Sequence, residues 1–126
     1  MKKLLILMVL LLPLFNCTTK DSGASEVHIR LSNTSAFNYQ DIIVNTSTGN
    51  VNFEDIGPGK VSDYKTFEIA YRYAFVELKI NDETYTLQPT DYVGETPLSS
   101  GYYTYQIGAN DTTEQYHKLS LTLIKD

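Results

Sequence analysis

Hydrophobic and polar residues alternate along most of the chain after residue 26, and this period of two predicts β-strands. Val27, Ile29 and Leu31, for example, alternate with polar side chains, as expected for a strand with one buried face. The same pattern predicts further strands around residues 42–44, 51–53, 61–67, 71–80, 84–88, 102–107 and 116–124.

Turn residues separate these segments. Gly57-Pro58-Gly59 predicts a tight turn, and Asn81-Asp82-Glu83 predicts a hairpin connection. Longer loops are predicted at 89–100 and 108–115, and the aromatic and β-branched residues of 64–74 argue against a helix there. The pattern therefore predicts an all-β domain over residues 26–126: an antiparallel β-sandwich of about seven to eight strands, immunoglobulin-like or transthyretin-like.

The alternation also predicts which side chains form the core. Lys79 and Lys118 fall on the faces opposite to the apolar positions of their strands, so both are expected to be exposed. The residues expected to be buried together are Val76, Leu78, Ile80, Leu119, Leu121 and Leu123.

The N-terminus has a different pattern, which is typical of a signal peptide. Lys2 and Lys3 precede an apolar run at residues 4–15, and this run is well short of the roughly 20 residues that a membrane-spanning helix needs. The chain then becomes polar. Residues 1–16 are therefore expected to be a removable targeting segment.

Cys17 directly follows this apolar run and is the only cysteine, so no intramolecular disulfide can form. The sequence Leu14-Phe15-Asn16-Cys17 resembles the lipobox of bacterial lipoproteins, which are cut before the cysteine by the lipoprotein signal peptidase. This resemblance implies lipidation of Cys17 and anchoring to a membrane by two or three acyl chains. Residues 17–25 are then the lipidated cysteine and a short flexible tether.

A longer block, AYRYAFVELKINDETYTLQPTDYVGETPLSSGYYTYQI, resembles small uncharacterised lipoproteins of Bacteroidetes, especially flavobacteria. Lys20-Asp21 resembles a lipoprotein export signal, and Asp111-Thr112-Thr113 resembles a Bacteroidetes O-glycosylation acceptor. These resemblances imply a location in the cell envelope and no particular chemistry.

The charge balance argues against one class of partner. The chain has a net charge of −5, and loss of residues 1–16 removes Lys2 and Lys3, which leaves −7. Such a surface repels phosphate backbones and anionic lipid, so no nucleic-acid partner is expected. The membrane contact is then the lipid on Cys17.

Candidate catalytic and metal-binding residues are few, and each has a simpler explanation. His28 and His117 fall in the first and last predicted strands and would approach each other only if those strands pair. They lack the short ligand spacing of a zinc site, and Asp91 with Glu95 lacks a calcium-binding pattern. The carboxylate pairs Glu54-Asp55 and Asp82-Glu83 are expected to be solvated turn residues. No enzyme activity, cofactor or metal is therefore expected.

Ten tyrosines and no tryptophan are the most unusual feature of the composition. Tyrosine suits both sandwich packing and a contact surface, because its ring is apolar and its hydroxyl is polar. Packing is the favoured interpretation, and the missing tryptophan argues against a sugar-stacking module.

These observations favour an outer-membrane lipoprotein, facing the periplasm or the cell surface. Its sandwich is expected to be a non-enzymatic protein-interaction or structural module, with another envelope protein as partner. The alternative is a small ligand-binding or carbohydrate-binding accessory module of an uptake system. A concave aromatic patch on the surface would favour that alternative.

Overall fold

Eight β-strands form two four-stranded sheets in the computed structural model, which describes residues 26–89, 92 and 94–126. Cys17, the predicted signal peptide and the predicted tether lie outside the described residues. The strands are β1 (Val27–Asn33), β2 (Gln40–Asn45), β3 (Asn50–Phe53), β4 (Lys65–Phe67), β5 (Phe75–Ile80), β6 (Glu83–Leu87), β7 (Gly101–Ala109) and β8 (Leu119–Lys125). The prediction of an all-β sandwich with seven to eight strands is confirmed.

The strand order identifies the kind of sandwich. Sheet A has the order β4-β1-β7-β8, and sheet B has the order β3-β2-β5-β6. An immunoglobulin sandwich places its first two strands side by side in one sheet. Here β1 and β2 lie in different sheets, so of the two expected types the transthyretin-like one remains. All neighbouring strands are antiparallel except β1 and β7, which run parallel.

The two predicted tight turns are confirmed by their backbone geometry. Asn81 and Asp82 both have positive φ, 52° and 67°, as a two-residue type I′ hairpin between β5 and β6 requires. In the other turn, Gly59 has φ 72° and the Lys60 N–H donates to the Gly57 carbonyl at 3.1 Å. Glycine adopts this left-handed conformation without the steric cost that a Cβ imposes.

Two predicted strands start later in the structure than in the sequence pattern. The strand expected from residue 71 begins at Phe75, and the strand expected from residue 116 begins at Leu119. The expected strand at 61–67 is reduced to three residues of β4, with Val61 forming an isolated bridge to Ser32.

The core lies between the sheets and is built from the predicted alternate positions. Five strands contribute most of its buried apolar side chains: Val27, Ile29, Leu31, Ile42, Val44, Val76, Leu78, Ile80, Tyr103, Tyr105, Ile107 and Leu119. Leu121 and Leu123 face this core but are only partly buried, because β8 is an edge strand. The prediction that they are as buried as Leu78 is therefore wrong.

The prediction that Lys118 is exposed is also wrong. Its side chain is 5% exposed. The ammonium group donates hydrogen bonds to the carbonyls of Asn110 and Thr112, at 2.7 and 2.9 Å, and lies over the rings of Phe37 and Tyr85. Because Lys118 precedes β8 rather than belonging to it, the alternation of that strand does not determine its direction.

Candidate functional site

The outer face of sheet A carries a cluster of aromatic and charged side chains. The alternate residues of β1 and β7 point into the core, which leaves His28 and Arg30 of β1 and Tyr102 of β7 on the outside. The parallel register places His28 opposite Tyr102, and Tyr64 precedes β4 on the other side of β1. We call His28, Arg30, Tyr64 and Tyr102 the aromatic face.

The rings of the aromatic face fix one another in position. His28 and Tyr102 stack with centroids 4.4 Å apart and planes 15° from parallel. Tyr64 packs against Tyr102 at 5.0 Å and nearly at right angles, while the Arg30 guanidinium lies 5.0 Å from the centre of the Tyr64 ring. Such contacts favour a single side-chain arrangement. Tyr102 nevertheless remains 51% exposed.

Asp126 ties the polar groups of this surface together. Its carboxylate accepts hydrogen bonds from the Tyr64 hydroxyl at 2.6 Å and from the Thr104 hydroxyl at 2.8 Å, and it lies 3.7 Å from Arg30 Nε. The hydrogen bond from Tyr64 is the main cause that lowers the pKa of Asp126, with smaller contributions from Thr104 and Arg30. The carboxylate therefore stays ionised at pH values below the usual titration range of aspartate.

A cleft beside β8 is the second notable surface. Two adjoining cavities of about 400 and 300 Å³ share Tyr73 and Leu121 as lining residues. The larger one is bordered by β8 on one side and by Arg72 and Leu98 on the other. We call this region the β8 cleft. Tyr73 is the aromatic side chain that lines both cavities, and it lies apart from the aromatic face.

The two histidines considered as metal ligands are not brought together by strand pairing. β1 pairs with β4 and β7, not with β8, and His117 lies in an exposed turn before β8, where it contacts Glu114. His28 instead contacts Tyr102 and the Thr66 hydroxyl. In the part of the chain that the structure describes, no three His, Cys, Asp or Glu side chains are grouped as metal ligands would be.

The carboxylate pairs Glu54-Asp55 and Asp82-Glu83 are exposed. Glu54 forms an ion pair with Lys65 at 3.3 Å, and Asp82 lies in the β5–β6 turn. Asp91, one of the two residues considered for calcium, lies outside the described residues. The 111–113 segment lies in the loop before β8, where Asp111 is exposed. Residues 26–89, 92 and 94–126 contain no helix long and apolar enough to span a membrane.

The tyrosines divide between core and surface. Tyr39, Tyr85, Tyr103 and Tyr105 are buried, as the packing interpretation expects, whereas three others are exposed: Tyr73, Tyr102 and Tyr116. The aromatic face was not predicted from the sequence. The sequence does contain a signal for this face: the outward positions of β1 and β7 carry aromatic and charged residues instead of the usual small polar ones. Only the pairing of β1 with β7, however, brings these residues together.

The structure thus defines an eight-stranded, transthyretin-like sandwich with an exposed aromatic face. The sequence matches no protein-family model and no curated protein. A protein from Eubacterium rectale, solved by NMR, has a similar fold, with a TM-score of 0.53 and 17% identity over 85% of this chain and 94% of that one. A candidate cell adhesion protein from Bacteroides ovatus ATCC 8483 aligns with a TM-score of 0.42 and 16% identity; the alignment covers 90% of this chain and 46% of the longer protein.

Proposed function

We propose that this chain is a lipid-anchored protein of the cell envelope and that its sandwich is a non-enzymatic module that binds another envelope protein. The anchor is the lipid on Cys17, and the location is the outer membrane. The signal-peptide pattern at residues 1–16 and the lipobox resemblance support the anchor. The aromatic face supports the binding role.

The observation that carries the binding role is a large aromatic side chain that is both exposed and held in place. Tyrosine and arginine are enriched among the residues that dominate binding energy at protein interfaces. Tyr102 is supported by His28 and Tyr64, so it loses little side-chain entropy when a partner covers it. An exposed tyrosine without such support would lose more side-chain entropy on making the same contact.

The geometry favours a protein partner over a sugar. A sugar stacks on an open ring face, but stacking with His28 covers one face of Tyr102, and Tyr64 contacts the same ring nearly at right angles. The surface belongs to the outer face of a sheet. A protein partner can use the exposed part of Tyr102, the Tyr64 hydroxyl and the Arg30 guanidinium together.

The lipid anchor gives the first testable prediction. Replacing Cys17→Ser should leave an uncut precursor that lacks acyl chains, because the serine hydroxyl does not replace the thiol in lipid transfer. The measurement is gel mobility together with metabolic labelling by a radioactive fatty acid. A Cys17→Ser chain that is cut normally and enters the detergent phase like the parent chain would show that the lipobox interpretation is wrong.

The binding role gives the second prediction. Cross-linking on intact cells, followed by purification of the full chain, should recover the same envelope protein with the parent chain and with Tyr116→Ala, but not with Tyr102→Ala. Tyr116 is the matched control, since it is 55% exposed and lies outside the aromatic face. Equal recovery with both variants would remove the aromatic face as the binding surface. Tyr102-dependent binding of a free oligosaccharide on a glycan array would instead favour the carbohydrate-binding alternative.

A further inference from the structure

We propose that β8 and the β8 cleft bind an extended segment of a partner protein, which adds to sheet A as a fifth strand beside β8. This segment has apolar side chains at alternate positions and an acidic residue at the end that lies beside Arg72 and Lys125. The inference rests on the proposed function in that the occupant is another protein. It concerns a different surface from the aromatic face, so either proposal can fail alone.

The register of β8 shows which of its backbone groups point away from β7. The Asn110 N–H donates to the Lys118 carbonyl, and the Asp126 N–H donates to the Tyr102 carbonyl. In an antiparallel ladder, the backbone groups of alternate residues point to the same side. The even-numbered residues of β8 therefore pair with β7. The N–H and C=O groups that point away from β7 belong to the odd-numbered residues Leu119, Leu121, Leu123 and Lys125.

β8 is also the edge strand best suited to accept a neighbour. Among the four edge strands of the described sandwich, β4 has three residues, β3 four and β6 five, whereas β8 has seven. Part of the β6 edge is used within the domain, because the Thr86 N–H donates to the Gln115 carbonyl. Natural proteins usually keep edge strands short or charged to prevent unwanted pairing. β8 is long, and its one charged residue is Lys125 at its end.

The β8 cleft supplies places for the side chains of an added strand. Leu121 and Leu123 face the cleft and are half-buried, and the opposite wall contains Leu98. That wall is held by a hydrogen bond of 2.8 Å from the Leu98 N–H to the Ala70 carbonyl. A strand added beside β8 directs every second side chain to the same side as Leu121, at a spacing of about 6.7 Å. Its alternate apolar side chains therefore enter the two adjoining cavities.

Charge indicates one end of the bound segment, the end beside the C-terminal half of β8. Arg72 borders the larger cavity, and Lys125 lies at the C-terminal end of β8. These are positive groups on a chain whose net charge is negative. An acidic residue at this end of the apolar segment would lie close to them, whereas a basic one would be repelled. Charge thus distinguishes the expected occupant from other extended peptides.

The test uses the purified full chain in detergent micelles, with empty micelles as the blank. The probe is a fluorescent peptide of about nine residues in which valine and threonine alternate between acidic ends, and its affinity is measured by fluorescence anisotropy. We expect it to bind at least about tenfold more tightly than the same peptide with lysine at both ends. Equal affinity of the two peptides would overturn the proposal.

Backbone pairing is tested by methylating peptide nitrogens at alternate positions. One set of methyl groups removes the N–H donors that face β8, and the other set removes the donors on the far side. We expect one methylated peptide to lose binding and the other to bind within about threefold of the parent peptide. If both bind alike, or both fail alike, the segment does not add as a strand.

A matched pair of variants locates the binding edge. Leu123→Pro and Leu123→Ala both remove the leucine side chain, but only proline also removes the outward N–H. We expect Leu123→Pro to weaken peptide binding at least about tenfold more than Leu123→Ala does. Equal loss of binding would overturn the role of the edge. If Leu123→Pro does not fold, as judged by its urea midpoint, the methylated peptides decide the question.

A second copy of this chain is the rival occupant of β8. Sedimentation velocity at less than one chain per micelle should show a monomer at the concentrations used for peptide binding. A dimer that Leu123→Pro dissociates and Leu123→Ala does not would assign the edge to self-association and overturn the proposal. If the peptide experiments fail while Tyr102-dependent capture of an envelope protein persists, the proposed function stands and this inference alone is wrong.

Discussion

Replacing Leu78 with alanine should lower the free energy of unfolding by about 2–5 kcal/mol. Leu78 is fully buried in the centre of β5, between the two sheets. Truncation removes the transfer free energy of three carbon atoms and leaves a cavity that the neighbouring strands fill only in part. Because a domain of this size has a total stability of only about 5–15 kcal/mol, the variant should unfold at a much lower urea concentration.

Lys79→Ala is the matched control for this measurement. Lys79 is the next residue of β5, its side chain points outward, and its ion pair with Asp41 is exposed. Such pairs contribute about 0–1 kcal/mol, so the urea midpoint should change little. Leu121→Ala should fall between the two, since Leu121 is half-buried. If Lys79→Ala costs as much as Leu78→Ala, the side chains of β5 face the opposite way from the structure.

Replacing Lys118 with alanine should cost about 2–4 kcal/mol, although a lysine is usually a harmless position to change. The substitution removes two charge-assisted hydrogen bonds to backbone carbonyls and the contacts of the ammonium with the Phe37 and Tyr85 rings. The carbonyls of Asn110 and Thr112 lose their donor as well. The loop before β8 then loses one of the groups that hold it to the domain.

Two further variants test this explanation by urea unfolding. Lys118→Met keeps most of the apolar stem and removes the charge, so it should recover part of the stability lost in Lys118→Ala. Lys60→Ala changes an exposed lysine in the turn before β4 and should cost less than about 0.5 kcal/mol. A Lys118→Ala midpoint equal to that of Lys60→Ala would contradict the buried position of Lys118.

The sequence pattern predicts the strands well where a strand buries one face, as β1 and β5 do. It fails at Tyr71, where an apolar alternation continues outside a strand. The Tyr71 N–H donates to the Thr46 hydroxyl at 2.9 Å, and its carbonyl accepts a hydrogen bond from the Tyr105 hydroxyl. Its ring stacks on Tyr92 at 4.7 Å. The backbone partners that a neighbouring strand would supply thus come from distant side chains, which no local pattern reveals.

The candidate site was less predictable because its members are distant in the sequence. Arg30 and Thr104 are 74 residues apart, and Tyr64 and Asp126 are 62 apart, yet both pairs are hydrogen-bonded. Local alternation assigns each residue to an outward position, and only the choice of neighbouring strands brings them together. That choice depends on the packing of the whole sandwich, so the local pattern of the sequence does not reveal it.

The parallel pairing of β1 with β7 also determines when the two sheets can form. The strands of sheet B lie between residues 40 and 87, and β5 and β6 are joined by a two-residue turn, so this sheet can assemble from nearby segments. β1 lies in the interior of sheet A and must wait for residues 101–109 before its parallel ladder exists. Closing such a long loop costs conformational entropy before the contacts between β1 and β7 offset that cost. When the chain emerges N-terminus first, β1 is therefore among the earliest strands to appear. It is also among the last to be paired on both sides, with β4 and with β7.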